Sequence, residues 1–437
     1  MTKPTSDPIV IAAGVRTPWA RAGGAFAKED AGHLGARVAR ELIARTGIDP
    51  SEIDEVIAGS VGPPHDQANI ARIVALRAGV PWQVPARSVQ RNCASGMEAV
   101  TSAVTSIRAG DGDLYLAVGV EVMSAYPLLM NSRMTAMFAA LAKAKSLPQR
   151  IAAMAAFRPS FLSPRVALVE GLTDPTTGLM MGRTAELLAR DFGLTRDDVD
   201  RYAVASHERA KAASARGRFR GELLPHLPLG ARSEQSALDV DDSIRDDQSV
   251  ERLAKLRPYF ERPDGLVTVG NSCGITDGAC ALLVTTASRA RALGITPLAI
   301  LRSFAWAGLD PARMGLGPVY ASAIALERAG LALSDLGVVE LNEAFAAQVL
   351  ACQRAFASQS FAQEKLGRAH ALGEIDPQRL NPNGGAIALG HPIGATGARL
   401  LLTLAHELRE GDHELGLATL CIGGGQGGAV ILERCAA

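Results

Sequence analysis

The sequence predicts an α/β protein made of two similar halves with a mostly helical segment inserted between them. Two observations carry this. From Ile9 to Glu121, apolar strand-like runs alternate with stretches of helical periodicity, the pattern of a sheet with helices on its faces. From Ile295 onward the same order returns. At 437 residues the chain also exceeds one ordinary core, so two or three domains, or one duplicated domain, are expected.

Taken in order, Ile9-Val10-Ile11-Ala12-Ala13 reads as the first strand, Glu55 to Gly59 as a second, Ala68 to Ala78 as a helix and Leu114 to Val120 as a buried strand. The stretch Gly47 to Ile57 matches Gly330 to Glu340 in its glycine, serine and apolar positions. A second pair is longer: Cys93 to Val120 and His391 to Ile422 share the layout turn, glycine, helix, Gly-Asp, strand. Cys93 and His391 thus fall in equivalent turns, and two halves packed about a pseudo-twofold axis bring such turns to a common centre. Two unrelated units of ordinary α/β grammar would share part of this pattern.

Between the halves, from about Met123 to Cys273, the texture changes. Residues 122–169 contain no Asp or Glu, six Lys or Arg and five of the ten Met. Such a segment suits a membrane surface or a partner subunit. It equally suits a helical excursion on its own domain with solvated basic residues. Thr195-Arg196-Asp197-Asp198 has capping-box character and starts a long helix towards Ala215. Gly221 to Val250 reads as loop. Leu266 to Val269 reads as a strand, followed by a Gly-rich turn and a helix from about Thr276.

Forty-five basic residues balance forty-five acidic ones, leaving no global field to attract nucleic acid. The six cysteines lack C-x-x-C spacing, so neither a metal site nor a disulfide framework is indicated, which suits a reducing compartment. Met1 to Asp7 lacks the apolar core of a signal peptide, and the expected location is the cytoplasm. No uncharged apolar stretch approaches the roughly 18 residues of a spanning helix; the longest, Met134 to Ala142, stops at Lys143.

Four stretches place reactive groups in turns at strand ends, where α/β sheets build active sites. In Val89-Gln90-Arg91-Asn92-Cys93-Ala94-Ser95-Gly96-Met97, Cys93 lies between a short strand and a helix start. The helix dipole and unpaired N–H groups there favour a thiolate. Asn342 follows a strand in Leu341-Asn342-Glu343-Ala344-Phe345. His391 lies in the Gly-rich run Asn383 to Gly394, with little local cover and a near-neutral pKa. Cys421-Ile422-Gly423-Gly424-Gly425-Gln426-Gly427-Gly428 imitates a dinucleotide fingerprint, but Ala429 to Glu433 reads as a strand where that fingerprint needs a helix. A hairpin there instead sets Cys421 and backbone N–H groups at a pocket. A rival pattern is G-x-S-x-G at Gly270 to Gly274, whose Ser272 precedes Glu343 and His391 in hydrolase order and would make a thioesterase.

With N-C-A-S-G at Cys93, N-E-A-F at Asn342, G-H-P at His391 and C-x-G-G-G-Q-G at Cys421, the chain resembles the thiolase family over nearly its whole length. Arg16-Thr17-Pro18, Met181-Gly182 and Met314 to Pro318 add support. Residues 142–146, Phe157-Arg158, Phe161-Leu162 and the spacer from Phe361 to Arg368 look most like 3-ketoacyl-CoA thiolases that serve as β-subunits of fatty-acid β-oxidation complexes.

The resemblance implies a thiolase fold: two duplicated βαβ-type halves in a layered α-β-α-β-α core, with residues 1–124 and 275–296 in the first half, 125–274 as an inserted loop domain and 297–437 in the second. It implies thiolysis of 3-ketoacyl-CoA by CoA through an acyl-cysteine, or the reverse condensation. Cys93 is then the nucleophile, His391 its base and Cys421 the acid/base at the substrate α-carbon. Asn342, through a water, and His391 form one oxyanion hole; the N–H groups of Cys93 and Gly423 form the other. Met181, Ser272, Cys273, Met314, Ala344 and Phe345 are implied substrate or CoA contacts. No metal or organic cofactor is expected, CoA being a substrate. Expected partners are a second or further copies of the chain, in a homodimer or homotetramer, and a hydratase/3-hydroxyacyl-CoA dehydrogenase α-subunit or a membrane meeting 122–169. Two departures stand out: Cys273 replaces a serine that contacts pantetheine in many thiolases, and Met180 replaces a histidine common in biosynthetic members.

Overall fold

The computed structural model describes residues 7–231, 233 and 237–435, so the expectation attached to Met1 to Ser6 lies outside the described residues. Five strands of the first half are β1 (Ile9–Arg16), β2 (Glu55–Gly59), β3 (Ala86–Val89), β4 (Leu114–Val122) and β5 (Thr276–Thr286). The second half supplies β6 (Ala299–Gly308), β7 (Val338–Leu341), β8 (Leu415–Ile422) and β9 (Gln426–Arg434). Their order is β7-β8-β9-β6-β1-β5-β4-β2-β3. In each half a parallel pairing, β2 with β4 and β7 with β8, continues into two antiparallel pairings, and in the first half β3 adds a second parallel pairing to β2. A parallel bridge from Val339 to Leu380 stands where β3 lies beside β2, extending the correspondence. The halves join through the short pairing of Val10 with Ile300 and Ile11 with Ala299.

The principal helices are α1 (Ala31–Thr46), α2 (Ile70–Ala78), α3 (Ser95–Ala109), α4 (Ser132–Lys143), α5 (Leu147–Ala155), α6 (Met181–Asp191), α7 (Arg196–Ala215), α8 (Gly317–Ala329), α9 (Ala346–Ala357) and α10 (Ile393–Glu410). Strand side chains alternate between faces and so feed different cores. On β4, Leu116 and Val118 meet α1 and α2, while Tyr115 and Ala117 face α3. On β8, Leu417 joins the core under α8 and α9, while Ala418 joins Leu401 and Leu404 of α10 in the middle. The result is five layers, with α3 and α10 buried between the two halves' strands.

Each central helix begins two residues after its turn residue, at Ser95 after Cys93 and at Ile393 after His391. The two helix starts touch at glycines. A Cβ on Gly96 would lie 2.8 Å from the Gly394 carbonyl oxygen, and one on Gly397 would lie 2.5 Å from the Met97 nitrogen. Backbone contact this close is open only to glycine, and it draws the Cys93 and His391 turns together.

One stretch departs from expectation. Thr276–Thr286 is an inner strand buried at every position, not a helix, and residues 266–269 are not a strand. The Ala- and Leu-rich run gives way to tertiary context: pairing on both sides with β1 and β4 outweighs helix propensity. The amides of Leu266 and Val267 are met by the Glu186 carboxylate at 2.9 and 2.8 Å instead of a neighbouring strand.

In the inserted segment, Thr195 and Asp198 form the expected capping box on α7. The described residues of 221–249 carry only turns, bends and isolated bridges. Helices α4 and α5 bury no residue at all.

Candidate functional site

Asn92 takes a left-handed conformation, φ 44°, between β3 and α3, and this turn presents Cys93 at the helix start. The backbone N–H groups of Cys93 and Gly423 lie near enough to the Cys93 sulfur to favour its thiolate. Gly423 comes from the hairpin between β8 and β9, where Gly424 and Gly425 have φ of 88° and 78°. Burial nevertheless outweighs their effect and holds the Cys93 thiol above its ordinary pKa. This corrects the expectation of a thiolate at rest: the helix start is real, but the desolvation that opposes the charge is larger.

His391 is 4% exposed. Burial, aided by the charge of Arg399, pushes its pKa down to about 3, so the ring is neutral. Its Nδ1 lies 2.7 Å from Thr396 Oγ1, and that hydroxyl gives its own proton to the Pro392 carbonyl at 3.1 Å. Thr396 must then accept from His391, which places the ring proton on Nδ1 and leaves a lone pair on Nε2. Asn342 Nδ2 approaches Nε2 at 3.5 Å, and its buried Oδ1 has no partner among the described residues.

Cys421, 1% exposed, is the last residue but one of β8. Burial first, then the neighbouring thiols Cys93, Cys352 and Cys273, holds its proton on. Cys273 is pushed up to about 12, again by burial first and Cys93 second. Cys93 of the first half thus lies close enough to Cys273 of the inserted segment and Cys421 of the second half to raise both. Among the other candidate contacts, Met314, Ala344, Phe345 and Cys421 lie in one apolar cluster with Met181 against it. The Met181 sulfur is 3.3 Å from where a Gly423 Cβ would stand. Ser272 bridges to Phe345, and the Cys273 amide donates to the Ala344 carbonyl at 3.1 Å.

The rival triad is not assembled. Ser272 Oγ donates to the Thr268 carbonyl at 2.7 Å. Glu343 is wholly buried and accepts from Ser206 Oγ at 2.6 Å, Tyr202 at 2.9 Å, Asn381 at 3.0 Å and the Ile387 amide at 3.2 Å. Its partners fix the turn between β7 and α9 and do not include His391.

Three residues at the site escaped the sequence reading. Thr396 carried a weak signal, a hydroxyl five positions after a turn histidine. Glu121 is buried at the end of β4 and accepts from Val61, Gly62 and Gly394 amides at 2.8, 3.0 and 3.0 Å, tying the two halves beside Cys93. The third is Asn92, whose partner is distant in sequence. No group of three or more potential metal-ligating side chains occurs among the described residues.

Comparison with known proteins points to one family. The family description "Thiolase, N-terminal domain" matches residues 9–288, and "Thiolase, C-terminal domain" matches 295–434. Proteins of Pectobacterium atrosepticum and Yersinia pestis named 3-ketoacyl-CoA thiolase are each 41% identical over 429 residues, covering 98% of this chain and 97% of theirs. Among solved structures, the Bacillus anthracis acetyl-CoA acetyltransferase superposes with a TM-score of 0.86 at 35% identity, covering 99% of this chain and 100% of that one. Human mitochondrial 3-ketoacyl-CoA thiolase in complex with CoA superposes with a TM-score of 0.84 at 33% identity, covering 100% of both chains. With both family domains matched in order and the four turns gathered from both halves, the chain belongs to the thiolase family.

Proposed function

We propose that the protein is a degradative thiolase that cleaves 3-ketoacyl-CoA with CoA, yielding acetyl-CoA and a shortened acyl-CoA. The observation that carries this reading is the approach of two backbone N–H groups, from Cys93 and from Gly423 of the other half, to the Cys93 sulfur, where both favour negative charge. Donors that converge there are placed to hold the oxygen of an acyl group on that sulfur.

In this reading His391 Nε2 takes the Cys93 proton as sulfur attacks the 3-keto carbon. The bond between C2 and C3 then breaks, and its electron pair passes to the acetyl-CoA enolate. His391, now carrying a proton on Nε2, and a water held by Asn342 stabilise the enolate oxygen; the unpartnered Asn342 Oδ1 supports that role. Cys421 protonates the enolate carbon, then as thiolate takes the proton of incoming CoA, whose sulfur displaces the acyl group from Cys93; the departing Cys93 thiolate regains its proton from His391. Each oxyanion donor lowers the barrier by about 3 kcal/mol. Thiol and imidazole chemistry requires no cofactor.

The test is direct. Replacing Cys93 by Ala should abolish CoA-dependent cleavage, and wild-type protein mixed with 3-ketoacyl-CoA should show an acyl adduct on Cys93 by mass spectrometry. Activity surviving in the variant would sink the reading.

A second inference concerns the excursion of α4 and α5. Leu147, Ile151, Met154 and Leu162 are 59–70% exposed beside Arg150 and Arg158. This apolar and cationic surface suits a partner α-subunit or an anionic membrane, where each basic residue contributes about 1 kcal/mol. Changing Arg150 and Arg158 to Glu should then weaken co-purification or liposome flotation; no effect on either removes the proposal.

A further inference from the structure

Asn92 carries a feature that the reaction scheme leaves unused. It is one of three non-glycine residues with positive φ among the described residues, the others being Asn381 and Asp412. Asparagine tolerates that conformation better than most side chains, but glycine adopts it freely, so the backbone alone does not call for a carboxamide.

The carboxamide has a partner. Asn92 Nδ2 donates to the Gly423 carbonyl oxygen at 2.8 Å, across 331 positions of sequence. The amide of the same glycine faces the Cys93 sulfur closely enough to favour its thiolate. Two consecutive residues of the nucleophile turn thus hold Gly423 from both sides. Arg91 adds a tie at the far end of the hairpin: it donates to Gln426 Oε1 at 3.1 Å, and its guanidinium lies 4.4 Å from the Trp306 ring centroid. The hairpin itself cannot fix where Gly423 points. Gly424 is exposed, and it and Gly425 offer no side chain to anchor the turn.

We propose that Asn92 is a positioning residue of the oxyanion hole: by gripping the Gly423 carbonyl it aims the Gly423 N–H at the atom that carries negative charge. This rests on Cys93 as the nucleophile. The contrasting view is that Asn92 merely suits a tight turn.

Asn92→Gly separates the two, because it relieves the backbone while deleting the carboxamide. Asn92→Asp keeps the shape but sets carboxylate oxygens against the carbonyl. In the full-length protein, Asn92→Gly should unfold at a denaturant midpoint equal to or above that of wild type. Its kcat for thiolysis should fall tenfold or more with KM for 3-ketoacyl-CoA within twofold, and Asn92→Asp should fall at least as far. The pH profile of Cys93 alkylation by iodoacetamide should move to higher pH in both, since the Gly423 N–H that favours the thiolate is loosened. Wild-type kcat and an unmoved alkylation profile in Asn92→Gly would overturn the proposal. The alkylation profile needs no substrate, so it tests the link to Gly423 even if the acyl adduct on Cys93 is not found and the thiolase mechanism fails.

Discussion

Thr396 Oγ1 stands 2.7 Å from His391 Nδ1 and spends its own proton on the Pro392 carbonyl, so the ring proton has one place to be. A hydroxyl in the first turn of α10 thereby decides which nitrogen faces the chemistry. General-base catalysis contributes about 100-fold or more to rate. Thr396→Val should therefore lower kcat by about 100-fold, while Thr396→Ser, which keeps the hydroxyl, should stay within a few-fold of wild type. Steady-state thiolysis kinetics of the two variants check this.

The resting pair is a thiol and a neutral imidazole, which sets a pH signature. Cys93 lies above its ordinary value of 9.0 because it is buried. Without substrate, its alkylation by iodoacetamide should still be rising at pH 9 and should show no plateau at neutral pH. His391, near 3, should add no inflection between pH 5 and 8. A plateau below pH 8 would instead reveal a thiolate–imidazolium pair.

The same burial makes the fold acid-sensitive. His391 falls from 6.5 to about 3 and His207 from 6.5 to about 4, each by burial first. Both bind protons more readily when unfolded, so their contribution is fully present above pH 6.5 and is lost as pH falls towards 4. The slope approaches about 1.4 kcal/mol per pH unit for each group. Urea unfolding at pH 7.0, 6.0 and 5.0 should show the decline, and His207→Gln should reduce it.

Glycine at the helix crossing is a further point of sensitivity. A Cβ at residue 397 meets the Met97 backbone nitrogen, which cannot swing aside. Gly397→Ala should cost about 1–3 kcal/mol in unfolding free energy. It should also depress kcat, because the strain separates the two turns. An equal loss of stability with full activity would show that the turns are held together elsewhere.

Much of this is legible in the sequence. Cys93, His391 and Cys421 sit in turns beside glycines and Asn342 in a turn at a strand end, each with a recognisable neighbourhood, and the repeated order places Cys93 and His391 in equivalent positions. What the chain concealed was of two kinds. Burial is a property of the assembled layers, and it reverses the charge state that a helix start suggests for Cys93. Pairing across long separations is equally hidden: Thr276–Thr286 looks helical until β1 and β4 flank it, and nothing in Asn92 announces Gly423. Thr396 lay between, visible once one asks which side chain a turn histidine would meet one helical turn later.

The equivalence of the Cys93 and His391 turns carries a consequence for descent. An ancestor made of two identical copies related by the same twofold would have set the same residue at both helix starts, either two thiols or two imidazoles. Neither arrangement separates the attacking atom from the group that takes its proton. Under the roles proposed for Cys93 and His391, division of labour between α3 and α10 requires the two halves to differ, and a single chain carries both residues in every molecule made.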